Sequence, residues 1–180
     1  MLVYYVRDHV YSSECVLQVR KSVIHGGGLF ARDVFEKNEM IVEYIGQQIR
    51  QAVADRREAQ YEEEGVGSCY LFRLDKECII DATRAGGMAR FMNHSCEPNA
   101  YAKVITTTRI IGQSKDSKGD CQELGTGEGE CREIEEKHII IMAMRDILED
   151  EEITYDYKFP IEEKKLKCYC GASTCLGSMN

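Results

Sequence analysis

The run CYCGASTC sets Cys168, Cys170 and Cys175 within eight residues. Thiolates at that spacing suit a structural zinc ion better than a disulfide between near neighbours. A tetrahedral site takes four sulfur or imidazole ligands, so three are supplied here and a fourth has to come from elsewhere; the plain alternative is three unrelated thiols. A second run, RFMNHSCEPN at 90–99, crowds Asn93, His94 and Cys96 into one turn closed by Pro98 and Asn99. Of the other cysteines, Cys15, Cys69 and Cys78 sit in strand-like runs and read as small core residues. Cys121 and Cys131 fall in an acidic stretch. Cys96 is therefore the candidate that completes the set.

A third run, TYDYKF, places Tyr155 and Tyr157 two residues apart, on one face of a strand, with Asp156 pointing away. Buried tyrosines usually pack a core, but their hydroxyls still need partners. With Tyr70 they could form a narrow aromatic channel with polar tips, which suits an amine carrying methyl groups. HGGGLFA at 25–31 contains a G-x-G-x-x-A match, yet RDVFEKNEM after it is no apolar helix, so a dinucleotide fingerprint is excluded. A lipase-type oxyanion loop is excluded too, because no G-x-S-x-G occurs. What remains is a glycine turn that lets backbone approach a ligand closely, or an ordinary hairpin turn. EDEE at 149–152 reads as a solvated turn, and neither His9 nor His138 has a visible partner.

The elements that must carry these groups are mostly short strands. CVLQVR, GLFARDV, EMIVEYIG, CYLFRL, CIID, AYAKVITTTRII (100–111), KHIIIMAMR and EITYDYKF all follow strand patterns broken by turn residues. Residues 48–64 lack Gly and Pro and predict a helix, with Ile49, Ala52, Val53 and Arg56 along one face. A short helix is expected around GGMARFM. With no alternation of strand and helix, the class is mainly β with short helices. Residues 113–136 hold eight acidic residues against three basic, with four glycines, and predict a flexible acidic insertion between two strands.

A chain of 180 residues is long enough for one domain with a real core. Nine cysteines, an odd number, without a secretory signal, argue for reduced thiols or a metal rather than a disulfide scaffold. No apolar run is long enough to span a bilayer. A net charge of -8 disfavours a nucleic-acid backbone and suits a basic partner such as a lysine-rich peptide.

HGGGLFA, RFMNHSCEPN, TYDYKF and CYCGASTC, in that order, resemble the SET-domain protein lysine methyltransferases, from about residue 15 to Asn180. Within the family, IRQAVADRREAQYEEEGVGSCYLFRLD, IDATRAGGMARFMNHSCEPN and ITYDYKFP resemble the trithorax and COMPASS branch, which methylates lysine 4 of histone H3. Only Cys15 occurs in the first twenty residues, so no cysteine-rich segment is seen there, and the ending CLGSMN resembles that branch's own C-terminus. Both fit the end of a longer protein.

The resemblance implies small curled β-sheets with a C-terminal pseudoknot. Its divisions fall as a flank at 1–14, a SET domain at 15–159 with a helix-bearing insert at 48–90, and a zinc-binding post-SET tail at 160–180. It implies S-adenosylmethionine as methyl donor, held by His25, Gly26, Gly27, Gly28, Arg90, Phe91, Asn93, His94 and Tyr169, with Tyr70 and Tyr157 beside it. Tyr157 matches the family's catalytic tyrosine, Tyr155 its product-specificity position, where tyrosine favours monomethylation, and Tyr70 should line the channel. The implied partners are the histone H3 tail and the WD-repeat and SPRY-containing COMPASS core subunits; the implied compartment is the nucleus. A catalytically silent module that binds histone tails, and an enzyme for a different lysine, are the competing readings.

Overall fold

The computed structural model describes residues 16–111, 132–161, 163 and 165–180. The strands in chain order are β1 (Leu17–Lys21), β2 (Gly27–Ala31), β3 (Met40–Glu43), β4 (Gln47–Arg50), β5 (Leu71–Arg73), β6 (Cys78–Asp81), β7 (Asn93–His94), β8 (Ala100–Ile111), β9 (Arg132–Ala143) and β10 (Glu152–Tyr155). Among the described residues one helix, α1 (Gln51–Glu63), follows β4 directly, and a 3-10 turn occupies Met88–Phe91. The strands form three small sheets, ordered β1-β2-β10-β7, β3-β9-β8 and β4-β6-β5. The mainly β class expected from the sequence is what the chain adopts.

The core lies where the sheets meet. β9 reads IIIMA over 139–143 and is buried at every one of those positions, because it is the central strand of its sheet and neither face meets water. Leu29, Ile141 and Ile153 are fully buried beside Leu17, Met92 and Ile147. β10 is inserted between β2 and β7, antiparallel to the first (Ile153 opposite Leu29) and parallel to the second (Thr154 opposite Asn93, Tyr155 opposite His94). That insertion brings the TYDYKF and RFMNHSCEPN runs side by side. Asn99, buried, locks it: its Oδ1 accepts from Thr154 N at 2.8 Å, while its Nδ2 donates to Glu152 O at 2.8 Å and to Glu151 Oε1 at 3.0 Å.

The helix expected over 48–64 exists, but Gln47–Arg50 is strand and the buried face differs. Ala52 and Arg56 are exposed and Val53 is largely so; Ala54 and Tyr61 are buried instead, with Arg57 between them. The reason is a polar anchor rather than an apolar stripe. Arg57 Nη1 and Tyr61 Oη donate to Asp81 Oδ2 at 2.7 and 2.8 Å, and Asp81 is 1% exposed. Burial alone would push the Asp81 pKa up, but the bonds from Arg57, Thr83 and Tyr61 outweigh it and hold the carboxyl below its usual range. Asp81→Asn is expected to lower stability by about 2 kcal/mol at neutral pH, measured by urea unfolding. Because the folded-state pKa is the lower one, this contribution is complete above the unfolded value and lost as pH falls through the folded one. Wild type and variant should converge in acid.

Two further expectations change. Residues 132–136, counted with the acidic insertion, are strand: Arg132 to Glu136 pair with Ile111 to Thr107, extending the β8–β9 hairpin through cross-strand hydrogen bonds no local pattern shows. Residues 112–131, with Cys121 and Cys131, lie outside the described residues, as do Cys15, His9 and the 1–14 flank. Cys69, expected in the core, is exposed, whereas Cys78 packs against the core as expected. His138 does have partners, Glu43 Oε1 at 2.7 Å and Thr107 Oγ1 at 3.0 Å across the β3-β9-β8 sheet.

Candidate functional site

The C-terminal tail folds back on the turn after β7 and brings four thiols together. The Sγ atoms of Cys96, Cys168, Cys170 and Cys175 all lie within 4.8 Å of one another. Cys96 Sγ is 3.9 Å from that of Cys168 and 3.8 Å from that of Cys175. A zinc ion with four Zn–S bonds of about 2.3 Å needs sulfur separations of about 3.8 Å, so the cluster fits zinc in number, chemistry and spacing. Gly171 and Gly177, at φ +72° and +79°, let the chain turn between the ligands, and Gly177 O accepts from Cys168 N at 3.1 Å.

Beside this cluster is a cavity of about 660 Å³. His25, Gly26 and Gly27 line it, as do Arg90, Phe91, Asn93 and His94, and Tyr70, Tyr157 and Tyr169. Asn93 Nδ2 donates to His25 O and Gly27 O, each at 3.1 Å, and so ties the glycine turn to β7. Gly26 has φ +48°, a left-handed turn that a larger residue would strain. Gly27 is not required for space: a Cβ there would meet the Phe91 ring at 3.4 Å, an ordinary contact. Gly28, which is buried, does not line this cavity. Backbone carbonyls, an amide side chain and aromatic walls in a space of this size fit a nucleoside-type cofactor such as S-adenosylmethionine.

A second cavity, of about 710 Å³, opens between α1 residues Asp55 and Glu58, the start of β8 and residues 156–160. Leu71, Tyr155, Tyr157 and Phe159 line both cavities, so the two meet at an aromatic neck. Tyr155 and Tyr157 stand 4.9 Å apart by ring centroid, Phe72 stacks on Tyr155 at 5.7 Å, and Phe159 meets Tyr157 edge-on at 5.1 Å. Tyr44 closes the ring against Phe72 at 5.0 Å, its hydroxyl donating to Tyr70 O at 3.2 Å. Tyr157 Oη donates to Met92 O at 2.9 Å. Burial pushes its pKa up to about 12, and Tyr155 and Tyr44 are raised by burial too, so all three are neutral phenols near pH 7.

His94 joins the cluster to the neck. Its Nδ1 accepts from Tyr157 N at 3.2 Å, so the ring proton sits on Nε2, 3.6 Å from Cys96 Sγ. Burial lowers the His94 pKa, against the pull of the Asp156 carboxylate, and keeps the ring neutral.

Tyr44, Phe72 and Phe159 were not singled out in the sequence; each sits in an ordinary strand or turn pattern, and only tertiary packing groups them. Glu152 was taken for part of a solvated turn. It accepts from Asn93 Nδ2 at 2.8 Å and Ser22 Oγ at 2.9 Å, while its neighbour Glu151 holds Arg145 at 2.5 Å.

The family model of the SET domain matches residues 26–158. The chain is 46% identical over 164 residues to the histone-lysine N-methyltransferase SETD1B of Homo sapiens, a match that covers 91% of this chain and 7% of that protein. It is 48% identical over 164 residues to SETD1 of Drosophila melanogaster and to SETD1A of Homo sapiens, covering 91% of this chain and 8% of each. The chain thus spans less than a tenth of the length of these relatives.

Proposed function

Because this chain belongs to the SET-domain family, we propose that it transfers methyl groups from S-adenosylmethionine to a lysine of the histone H3 tail, lysine 4, adding mainly one. The observation that carries this reading is the aromatic neck between two cavities, one suited to a cofactor and one lined by Asp55, Glu58 and Asp156 together with Arg73 and Lys158. A basic tail is attracted to a chain of net charge -8.

The cofactor supplies a methyl group on a sulfonium whose departing sulfur becomes neutral. The chain's part is to hold donor and acceptor in line, which supplies most of the acceleration in a displacement of this kind. His25 to Gly27, Arg90, Phe91, Asn93, His94 and Tyr169 enclose the donor side. A lysine side chain entering from the second cavity loses water between Tyr155, Tyr157 and Phe159, and that desolvation lowers its pKa toward the neutral amine the reaction needs. Tyr157 orients this amine through its hydroxyl oxygen, whose own proton is committed to Met92 O. With a pKa near 12 the phenol is no base at neutral pH. Tyr155 fills the neck and limits the methyl groups it admits.

Tyr155→Phe is expected to turn a monomethylating enzyme into one that forms dimethyl and trimethyl products, read as the ratio of peptide masses at equal turnover. The four cysteines hold a structural zinc ion in this reading, and WD-repeat and SPRY-containing subunits assist the domain in the nucleus. Mass spectrometry of a histone H3 tail peptide, beside the same peptide with alanine at position 4, tests the function. One methyl gained only on the unaltered peptide is the expected result. Equal gain on both overturns the site, and no gain even with the core subunits added overturns the enzyme.

A further inference from the structure

We infer that Glu152 is the positioning residue of the cofactor loop, and that Gly28 lacks a side chain to leave room for its carboxylate. The inference rests on the methyl-transfer reading above and concerns a residue that does not itself line the cavity.

The carboxylate sits half-buried between the two segments that form the donor wall. Its Oε1 accepts from Asn93 Nδ2 at 2.8 Å, the shortest of three acceptors that share the two Nδ2 hydrogens, the others being His25 O and Gly27 O, each at 3.1 Å. Its Oε2 accepts from Ser22 Oγ at 2.9 Å. Ser22 in turn shapes the loop from the other end, its Oγ accepting from Ile24 N at 2.9 Å and its backbone N–H donating to Gly26 O at 2.9 Å. Ser22 and Asn93 are both buried. One side chain thus fixes both ends of the 22–27 loop.

Gly28 gives an independent mark of the same arrangement. Its φ is not in the left-handed region, so no backbone conformation demands glycine. A Cβ at Gly28 would collide with Glu152 Oε1, come within 2.9 Å of its Cδ and stand 3.0 Å from the Phe30 ring, so the carboxylate is the tightest of the contacts it would meet. Alanine at 28 therefore displaces the carboxylate without removing it.

The test is a double-mutant cycle on the zinc-loaded chain, reading S-adenosylmethionine binding by calorimetry and the separate KM values for cofactor and peptide. Glu152→Ala and Gly28→Ala should each weaken cofactor binding about 10- to 100-fold, with the peptide KM unchanged. Glu152→Gln, which keeps an acceptor for Asn93 and a partner for Ser22, should stay within about threefold of wild type. Gly28→Ala added to Glu152→Ala should cost much less than it does alone, because the carboxylate it displaces is gone and only the Phe30 ring, 3.0 Å away, is left to give. Additive losses, or cofactor binding that survives Glu152→Ala, would overturn the inference alone. A wild-type chain that binds no S-adenosylmethionine would overturn the functional reading and the inference with it.

Discussion

Tyr157→Phe is expected to slow methylation of a histone H3 peptide by about 100- to 1000-fold at saturating cofactor. The loss should fall on kcat, while cofactor binding stays close to wild type. The hydroxyl removed is the only atom changed, and it lies in the neck shared by the two cavities with its proton given to Met92 O at 2.9 Å. Its oxygen is then left to accept from the incoming amine, so phenylalanine costs the amine its orientation but keeps the ring that packs on Tyr155 and Phe159. A general base would leave a different trace. If Tyr157 worked by ionising, the rate of the wild type would climb steadily toward its pKa of about 12, whereas an orienting phenol gives a profile set by the lysine alone. A variant within a factor of about three of wild-type kcat would remove Tyr157 from the mechanism.

Loss of the metal is expected to be as damaging, for a reason that reaches past the tail. Cys168→Ser should drop the zinc content, measured by elemental analysis, from one per chain to a small fraction, since Cys168 is the buried member of the set and metal binding at such sites is folding free energy. Two consequences follow in the neighbourhood. The tail residue Tyr169 no longer closes the cofactor cavity, and Cys96 no longer anchors His94, whose Nδ1 holds the backbone of Tyr157. Methylation should therefore fall at least about 100-fold, and limited proteolysis should cut the 165–180 segment that survives in the zinc-loaded chain. Retained activity in a zinc-free variant would make the cluster an ornament of the tail, with no hold on the chemistry.

The residues legible in the sequence were those whose chemistry is local or whose type is rare. Three thiols in one run ask for a fourth, and Cys96 stands in the only other run with committed neighbours; the structure brings these four together. Tyr155 and Tyr157 announce a shared face by spacing alone. The α1 face was misread because its anchor is Arg57 and Tyr61 on a buried Asp81, polar groups that a hydrophobic pattern counts as exposed. Glu152 was hidden in an acidic run because its partners, Ser22 and Asn93, are distant in sequence. Tyr44, Phe72 and Phe159 were missed likewise: a ring of aromatics assembled from β5, the end of β3 and the segment after β10 has no period along the chain.

The place of β10 sets a clock on synthesis. Leu29 of β2 has Val19 of β1 beside it from the start, but its partner on the other edge, Ile153, is made only roughly 120 residues later. At about 5–20 residues per second that is roughly 6 to 24 s during which one edge of β2 stays open on a growing chain. Neither the donor loop nor the neck can form in that interval, because Glu152, Tyr155 and Tyr157 all arrive with the final strand or after it. The two cavities are therefore completed together, by the last of the described strands and the residues that follow it.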